Sequence, residues 1–227
     1  YDDAQSIYSK NSQLDFSLSS VGVQARGRTT VMKLNYRNTN EILDFAFHFA
    51  SRYLNPSAKD EDYVPLVEPK AAGRHGPAPV VRTFNSYEEE ASYIARIFYR
   101  MHKEQGAPWS DMCVIYRSNW MGEKLQSKLI SKGVPSQWLR DSKAKKKFCS
   151  SADTVKLMTM HSSKGLEFPI VAVSGIGSMP ANGEDPVSAA KLLYVAMTRS
   201  TEKLLLTSHR ETEFISQLKQ EDLAEVS

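Results

Sequence analysis

The chain has 227 residues, 41% hydrophobic and 24% charged, the balance of a soluble globular protein long enough for one large domain or two small ones. A formal net charge of +3 permits a nucleic-acid partner without arguing for one, because the two signs are mixed along the chain. No run approaches the ~20 apolar residues that span a bilayer, and Cys113 and Cys149, 36 positions apart, have no metal-ligand spacing and fit reduced thiols in a cytosolic compartment. The chain opens on Tyr1-Asp2-Asp3 with neither an initiator Met nor a secretory leader, so it is expected to be a piece of a longer polypeptide.

Gly22–Thr29, GVQARGRT, nearly matches the phosphate-loop pattern G-x-x-x-x-G-K-[ST], but Arg28 replaces the Lys and a strand, Thr29–Leu34, follows where a helix is required. That strand runs into Asn35-Tyr36-Arg37-Asn38. Asn38 reads as the N-cap of a helix over Thr39–Tyr53, with Glu41 closing a capping box and Ile42, Phe45, Ala46, Phe49 and Tyr53 inward. Arg37 thus sits where a strand ends and a helix begins, the place where open α/β sheets bind ligands. Residues 55–79, rich in Pro and Gly, read as a loop, and Arg74 within it is expected to carry no role.

Pro79–Phe84 reads as a strand, and Ser86 as the cap of a helix over Tyr87–Glu104. In that helix Glu88, Glu89 and Glu90 suit the dipole, while Ala91, Ile94, Ala95, Ile97, Phe98 and Met101 face the core. A buried strand, Asp111–Arg117, leads through Ser118 to Asn119. A helix over Glu123–Lys132 follows, with Leu125 and Leu129 inward. Val134–Asp153 reads as a loop with Lys143, Lys145, Lys146 and Lys147, too short for an inserted domain. From Val155 an apolar strand meets a dense polar set, Thr159, His161, Lys164, Gly165 and Glu167, before a second strand over Pro169–Val173. His161 alone would serve equally as a satisfied core histidine. After a loop to Pro186, a helix carrying Leu192, Leu193, Val195, Ala196 and Met197 ends on Thr198-Arg199. A strand over Lys203–Ser208, a short helix over Glu211–Leu218 and a polar end complete the chain. Alternating strands and helices predict a mostly parallel sheet with helices on both faces.

Two strings now carry a resemblance. Thr159–Phe168 fits T-x-H-x-x-K-G-L-E-F, and Leu192–Arg199 fits L-x-Y-V-A-x-T-R. In this order they resemble the fifth and sixth motifs of superfamily 1 helicases of the UvrD/Rep/PcrA type. Asn35-Tyr36-Arg37-Asn38 is similar to the fourth motif, N-Y-R-S, and Tyr116–Asn119 to the Y-R-[TS]-N segment. Residues 2–8 are similar to the third motif, G-D-x-x-Q-S-I-Y, with Tyr1 in place of its Gly.

The resemblance implies an α/β, RecA-like second motor domain without a phosphate loop. Residues 1–28 would be the tail of the first motor domain and 29–227 the second, with no large inserted domain. It further implies ATP with Mg²⁺ in a cleft between the two domains, the metal held mainly by the N-terminal one. Arg37, Arg199 and Gln5 would face the terminal phosphate, and Gly165 and Glu167 the rest of the nucleotide. Tyr8, Arg117, Asn119, Thr159, His161 and Lys164 would line a single-stranded DNA track. The implied partners are the chain's own N-terminal motor domain, single-stranded DNA and repair or recombination proteins, with no membrane, in the bacterial cytosol or nucleoid. Without a phosphate loop the chain by itself is expected not to hydrolyse ATP. The competing readings are a non-enzymatic helicase-like module that binds nucleic acid or a partner, and a nuclease–helicase fusion.

Overall fold

A computed structural model describes residues 34–35, 37–53, 70–71, 73–140 and 152–224. Gln5, Tyr8, the Gly22–Thr29 stretch and Lys143–Lys147 lie outside the described residues. In chain order the elements are β1 (Leu34–Asn35), α1 (Asn40–Ser51), β2 (Lys70–Ala71), β3 (Val80–Thr83) and α2 (Tyr87–Gln105). Then come β4 (Met112–Tyr116), α3 (Asn119–Ser131), β5 (Ser136–Trp138), β6 (Val155–Thr159), β7 (Phe168–Ser174), α4 (Pro186–Met197), β8 (Ser200–Ser208) and α5 (Glu213–Ala224).

Strands β3–β8 form one sheet in the order β3-β8-β7-β4-β6-β5, and every pairing in it is parallel. Strands β1 and β2 form a separate parallel pair. All five residues of β4 are buried, as an apolar strand covered on both faces must be. Its side chains alternate between two cores. Cys113 and Ile115 join α1, α4 and α5 on one face, through Phe45, Phe49, Leu193 and Phe214. Met112, Val114 and Tyr116 join α2 and α3 on the other, through Ile94, Phe98, Leu125 and Leu129. The expected α/β architecture with helices on both faces is the one observed.

Local departures from the expected elements have identifiable causes. The cap of α1 is Thr39, whose side chain makes no capping bond, and the capping box of Asn38 and Glu41 does not form. Both side chains have distant partners that outcompete it. Helix α3 begins at Asn119 rather than Glu123, so Asn119 stands on its first turn. Ser136–Trp138, inside the stretch expected to be loop, pairs with Val155–Leu157 as an edge strand. Ser86 caps α2 as expected, accepting from the Glu89 N–H at 3.2 Å.

Glu90, one of the three acids that suit the α2 dipole, is fully buried. Its carboxylate accepts from Ser174 Oγ (2.8 Å), the Gly175 N–H (2.7 Å), Thr207 Oγ1 (2.7 Å) and His209 Nδ1 (3.1 Å). It therefore ties α2 to the ends of β7 and β8. Removing it leaves several buried donors facing an apolar side chain, at about 1–3 kcal/mol for each one unmet. Glu90→Leu is expected to cost the chain at least ~3 kcal/mol in urea denaturation, while exposed Lys103→Ala stays within ~0.5 kcal/mol. A Glu90→Leu loss below ~1 kcal/mol would show that this network does not hold the sheet to α2.

Candidate functional site

Because the six strands run the same way, the sheet has an amino edge and a carboxyl edge. Seven-residue β7 separates them by roughly 20 Å. The resemblance-derived residues divide between the two.

At the amino edge, Glu167 immediately precedes β7 and Arg199 immediately precedes β8. The chain reaches Glu167 through Gly165, whose φ of +84° lies in the left-handed region. A Cβ there would meet nothing within 4 Å, so the requirement for glycine is conformational rather than spatial. The turn presents the Leu166 carbonyl to Arg199 Nη1 at 3.3 Å. The Phe168 N–H donates to the Arg199 carbonyl at 2.9 Å. Arg199 is 5% exposed, and its guanidinium also donates to the Val195 carbonyl (Nε, 3.0 Å) and to Thr198 Oγ1 (Nη2, 3.2 Å). It thus caps the end of α4 in the manner of a C-terminal cation.

Arg37, at the junction of β1 and α1, reaches this edge from the other side. Its Nε lies 3.3 Å from Glu167 Oε2, with both side chains more than half exposed. Asn38 fixes the junction: its buried Nδ2 donates to the carbonyls of Thr198 (3.0 Å) and Ser200 (2.5 Å), flanking Arg199. This is the role that displaces the expected cap. Arg37, Gly165, Glu167 and Arg199 therefore converge. Arg74 belongs with them, against expectation, since its Nη1 donates to the Arg37 carbonyl at 2.8 Å.

At the carboxyl edge, Arg117 follows β4 and His161 follows β6, the neighbouring strand. Arg117 is mostly buried and pairs with Glu184 at 2.7 Å, while its Nε is buried without an acceptor among the described residues. Partial desolvation lowers the His161 pKa below its ordinary value, the Arg117 guanidinium adds to this, and Glu184 opposes it. The three groups thus form one electrostatic unit. Asn119 is exposed on the first turn of α3. Thr159 uses its Oγ1 to cap the short 3₁₀ turn Met160–Ser163, accepting from the Ser162 N–H at 3.2 Å. Lys164 is exposed where that turn ends, on the way back to the amino edge. Glu184 carried no sequence signal beyond being an acid in a Gly/Pro-containing loop.

A model of the UvrD-like helicase C-terminal domain matches residues 30–144 and 139–211, most of the chain. The chain belongs to this family. Among curated relatives, DNA helicase II of Escherichia coli is 38% identical over 93 residues, 33% of this chain and 13% of that protein. ATP-dependent DNA helicase Rep of Escherichia coli is 31% identical over 129 residues, 46% of this chain and 19% of that one. A probable DNA helicase II homolog of Mycoplasma capricolum is 28% identical over 137 residues, 60% and 18%. The chain spans under a fifth of the length of each of these three. A solved C-terminal domain of a possible DNA helicase from Lactobacillus plantarum superposes with a TM-score of 0.58 at 18% identity, covering 81% of this chain and 94% of that one. At that identity the likeness speaks for the fold. The UvrD-like, RecA-like α/β assignment thus rests on family, relatives and fold together.

The carboxyl-edge geometry has a direct spectroscopic consequence. In an NMR titration the His161 imidazole should have its midpoint below 6.5. Arg117→Ala should raise that midpoint, and Glu184→Gln should lower it further. The linkage follows in sign: the unfolded chain takes up the His161 proton before the folded one, so stability is lost as pH falls from 6.5 toward the lowered folded pKa. An unchanged midpoint in Arg117→Ala would mean that the two groups are not neighbours.

Proposed function

We propose that this chain is the second motor half of an ATP-dependent superfamily 1 DNA helicase or translocase. In this reading its amino edge closes on ATP held by a phosphate-loop domain, and its carboxyl edge follows single-stranded DNA. The observation that carries the reading is the convergence of Arg37, Glu167 and Arg199 at one edge, away from Arg117 and His161 at the other.

Each amino-edge residue has a chemical task. Arg37 is the accessible guanidinium, and the exposed Arg37–Glu167 pair contributes no more than about 1 kcal/mol, so it opens readily when a nucleotide arrives. Glu167 then accepts from a ribose hydroxyl while Arg37 turns to the terminal phosphate. Arg199 exchanges carbonyl and hydroxyl acceptors for phosphate oxygens, to which an arginine fork makes stronger, bidentate, charge-assisted bonds. Gln5 belongs to the same phosphate group by resemblance. Mg²⁺ would neutralise developing phosphate charge. By resemblance it would be held mainly by the N-terminal half. On the carboxyl edge, Arg117, Asn119, Thr159, His161 and Lys164 contact phosphate and sugar, which positions the strand without reading its sequence. Tyr8 adds a stacking face by resemblance.

The test is steady-state ATP hydrolysis, at saturating single-stranded DNA, by the full-length polypeptide that joins this domain to its phosphate-loop half. Arg37→Ala and Arg199→Ala are each expected to lower kcat by roughly 10³-fold, the scale of cationic stabilisation in phosphoryl transfer. KM for ATP and DNA affinity should change far less. Arg199→Lys should not restore the rate, because a point charge lacks the planar fork. Near-normal kcat in Arg199→Ala would overturn the reading.

A further inference from the structure

Arg74, His75 and Gly76 lie in the Pro/Gly-rich stretch that the sequence leaves without a role, yet they grip the Arg37 junction from several directions. Arg74 Nη1 donates to the Arg37 carbonyl at 2.8 Å, and the Arg74 carbonyl accepts from the Asn40 N–H at 2.9 Å. One residue therefore holds both ends of the turn between β1 and α1. Arg74 Nη2 meets Glu202 Oε1 at 3.4 Å, on β8 three residues past Arg199. The neighbouring residues lock the same turn. His75 Nδ1 lies 2.9 Å from Glu41 Oε1, and the Gly76 N–H donates to Glu41 Oε2 at 2.9 Å. Burial would raise the Glu41 carboxyl, but hydrogen bonds from the backbone at Glu41, from His75 and from Gly76 outweigh it and leave the pKa lowered. A Cβ on Gly76 would come within 2.8 Å of Thr39 Cγ2 and 3.1 Å of the Glu202 carbonyl, so the strap lies flat on the turn only because that residue is glycine.

This arrangement leaves the Arg37 side chain exposed while its backbone is tied to the strand that follows Arg199. Asn38 makes the second tie through Thr198 and Ser200. We propose that Arg74 is a positioning residue. It fixes the Arg37 peptide relative to β8, and so sets the separation of the Arg37 and Arg199 guanidinium groups that meet a terminal phosphate. The inference rests on the two-arginine reading above and adds a third arginine that touches no phosphate itself. It reverses the expectation that Arg74 is idle.

The test is a double-mutant cycle on ATP turnover by the full-length polypeptide, with the melting temperature of the 227-residue chain measured for each variant. Arg74→Ala should lower kcat roughly 10- to 100-fold, the size of a displaced positioning contact, with KM for ATP nearly unchanged. In an Arg37→Ala background the same substitution should change kcat less than about twofold, because its effect passes through Arg37. Arg74→Lys can still donate to the Arg37 carbonyl and should recover most of the rate. Glu202→Gln, which weakens only the β8 tie, should lie between wild type and Arg74→Ala. If Arg74→Ala does not fold, the Glu202→Gln cycle with Arg37→Ala decides the matter: a kcat loss that vanishes in the Arg37→Ala background supports the positioning role, and an additive loss overturns it. Wild-type kcat in Arg74→Ala, or additive losses in the cycle, would overturn the positioning role while leaving the two-arginine reading intact. Unchanged kcat in Arg37→Ala would bring down both.

Discussion

A parallel sheet forces every connection to travel from the carboxyl end of one strand to the amino end of the next. Here that constraint does the sorting. The segment from Thr159 to Glu167 leaves β6 at one edge and enters β7 at the other. A single ten-residue motif therefore delivers Thr159 and His161 to the carboxyl edge and Glu167 to the amino edge. Its Gly165 turn makes the final placement. The helix α4 makes the same crossing before β8, and so Arg199 arrives beside Glu167 rather than beside Arg117.

What keeps the amino edge assembled is polar and buried rather than ionic and exposed. The visible ion pair of Arg37 and Glu167 is exposed on both sides and weak on physical grounds. The Asn38 amide is buried and spans 160 residues of sequence to reach the carbonyls around Arg199. Losing it would leave those carbonyls without that donor in a water-poor setting, which costs more than losing the exposed pair. Strength sits in this buried frame, above which the Arg37 and Glu167 side chains stand exposed. The carboxyl edge is built the same way: Glu90 secures the strand ends, while Asn119 and His161 stay exposed.

Much of this was legible in the sequence. Strand–helix alternation pointed to the α/β architecture, and the apolar stripes of α1, α2 and α3 marked the faces those helices bury, with Tyr53, Ile97 and Met101 only partly covered. The strings around Thr159 and Leu192 carried the family. Partners set by tertiary contact were not legible. Asn38 and Glu41 satisfy a local capping rule, and only the fold reveals distant acceptors and donors that outcompete it. Glu90 looks like one of three equivalent first-turn acids until β7 and β8 are seen to end against it. Arg74 sits among residues whose local pattern says loop. Its role exists only because residues 73–76 return to α1 across a gap in sequence. Ser136–Trp138 is too short to announce itself as a strand, and it becomes one because β6 offers an open edge.

In the proposed function two chemically different tasks occupy opposite edges of one sheet. Backbone NMR on the isotopically labelled 227-residue chain, titrated with a short oligothymidine at low salt, addresses it directly. Shift changes should concentrate at Arg117, Asn119, Thr159 and His161 and fade as salt is raised, with the amides of Arg37, Glu167 and Arg199 undisturbed. Shifts gathered instead around Arg37, Arg74, Glu167 and Arg199 would contradict it.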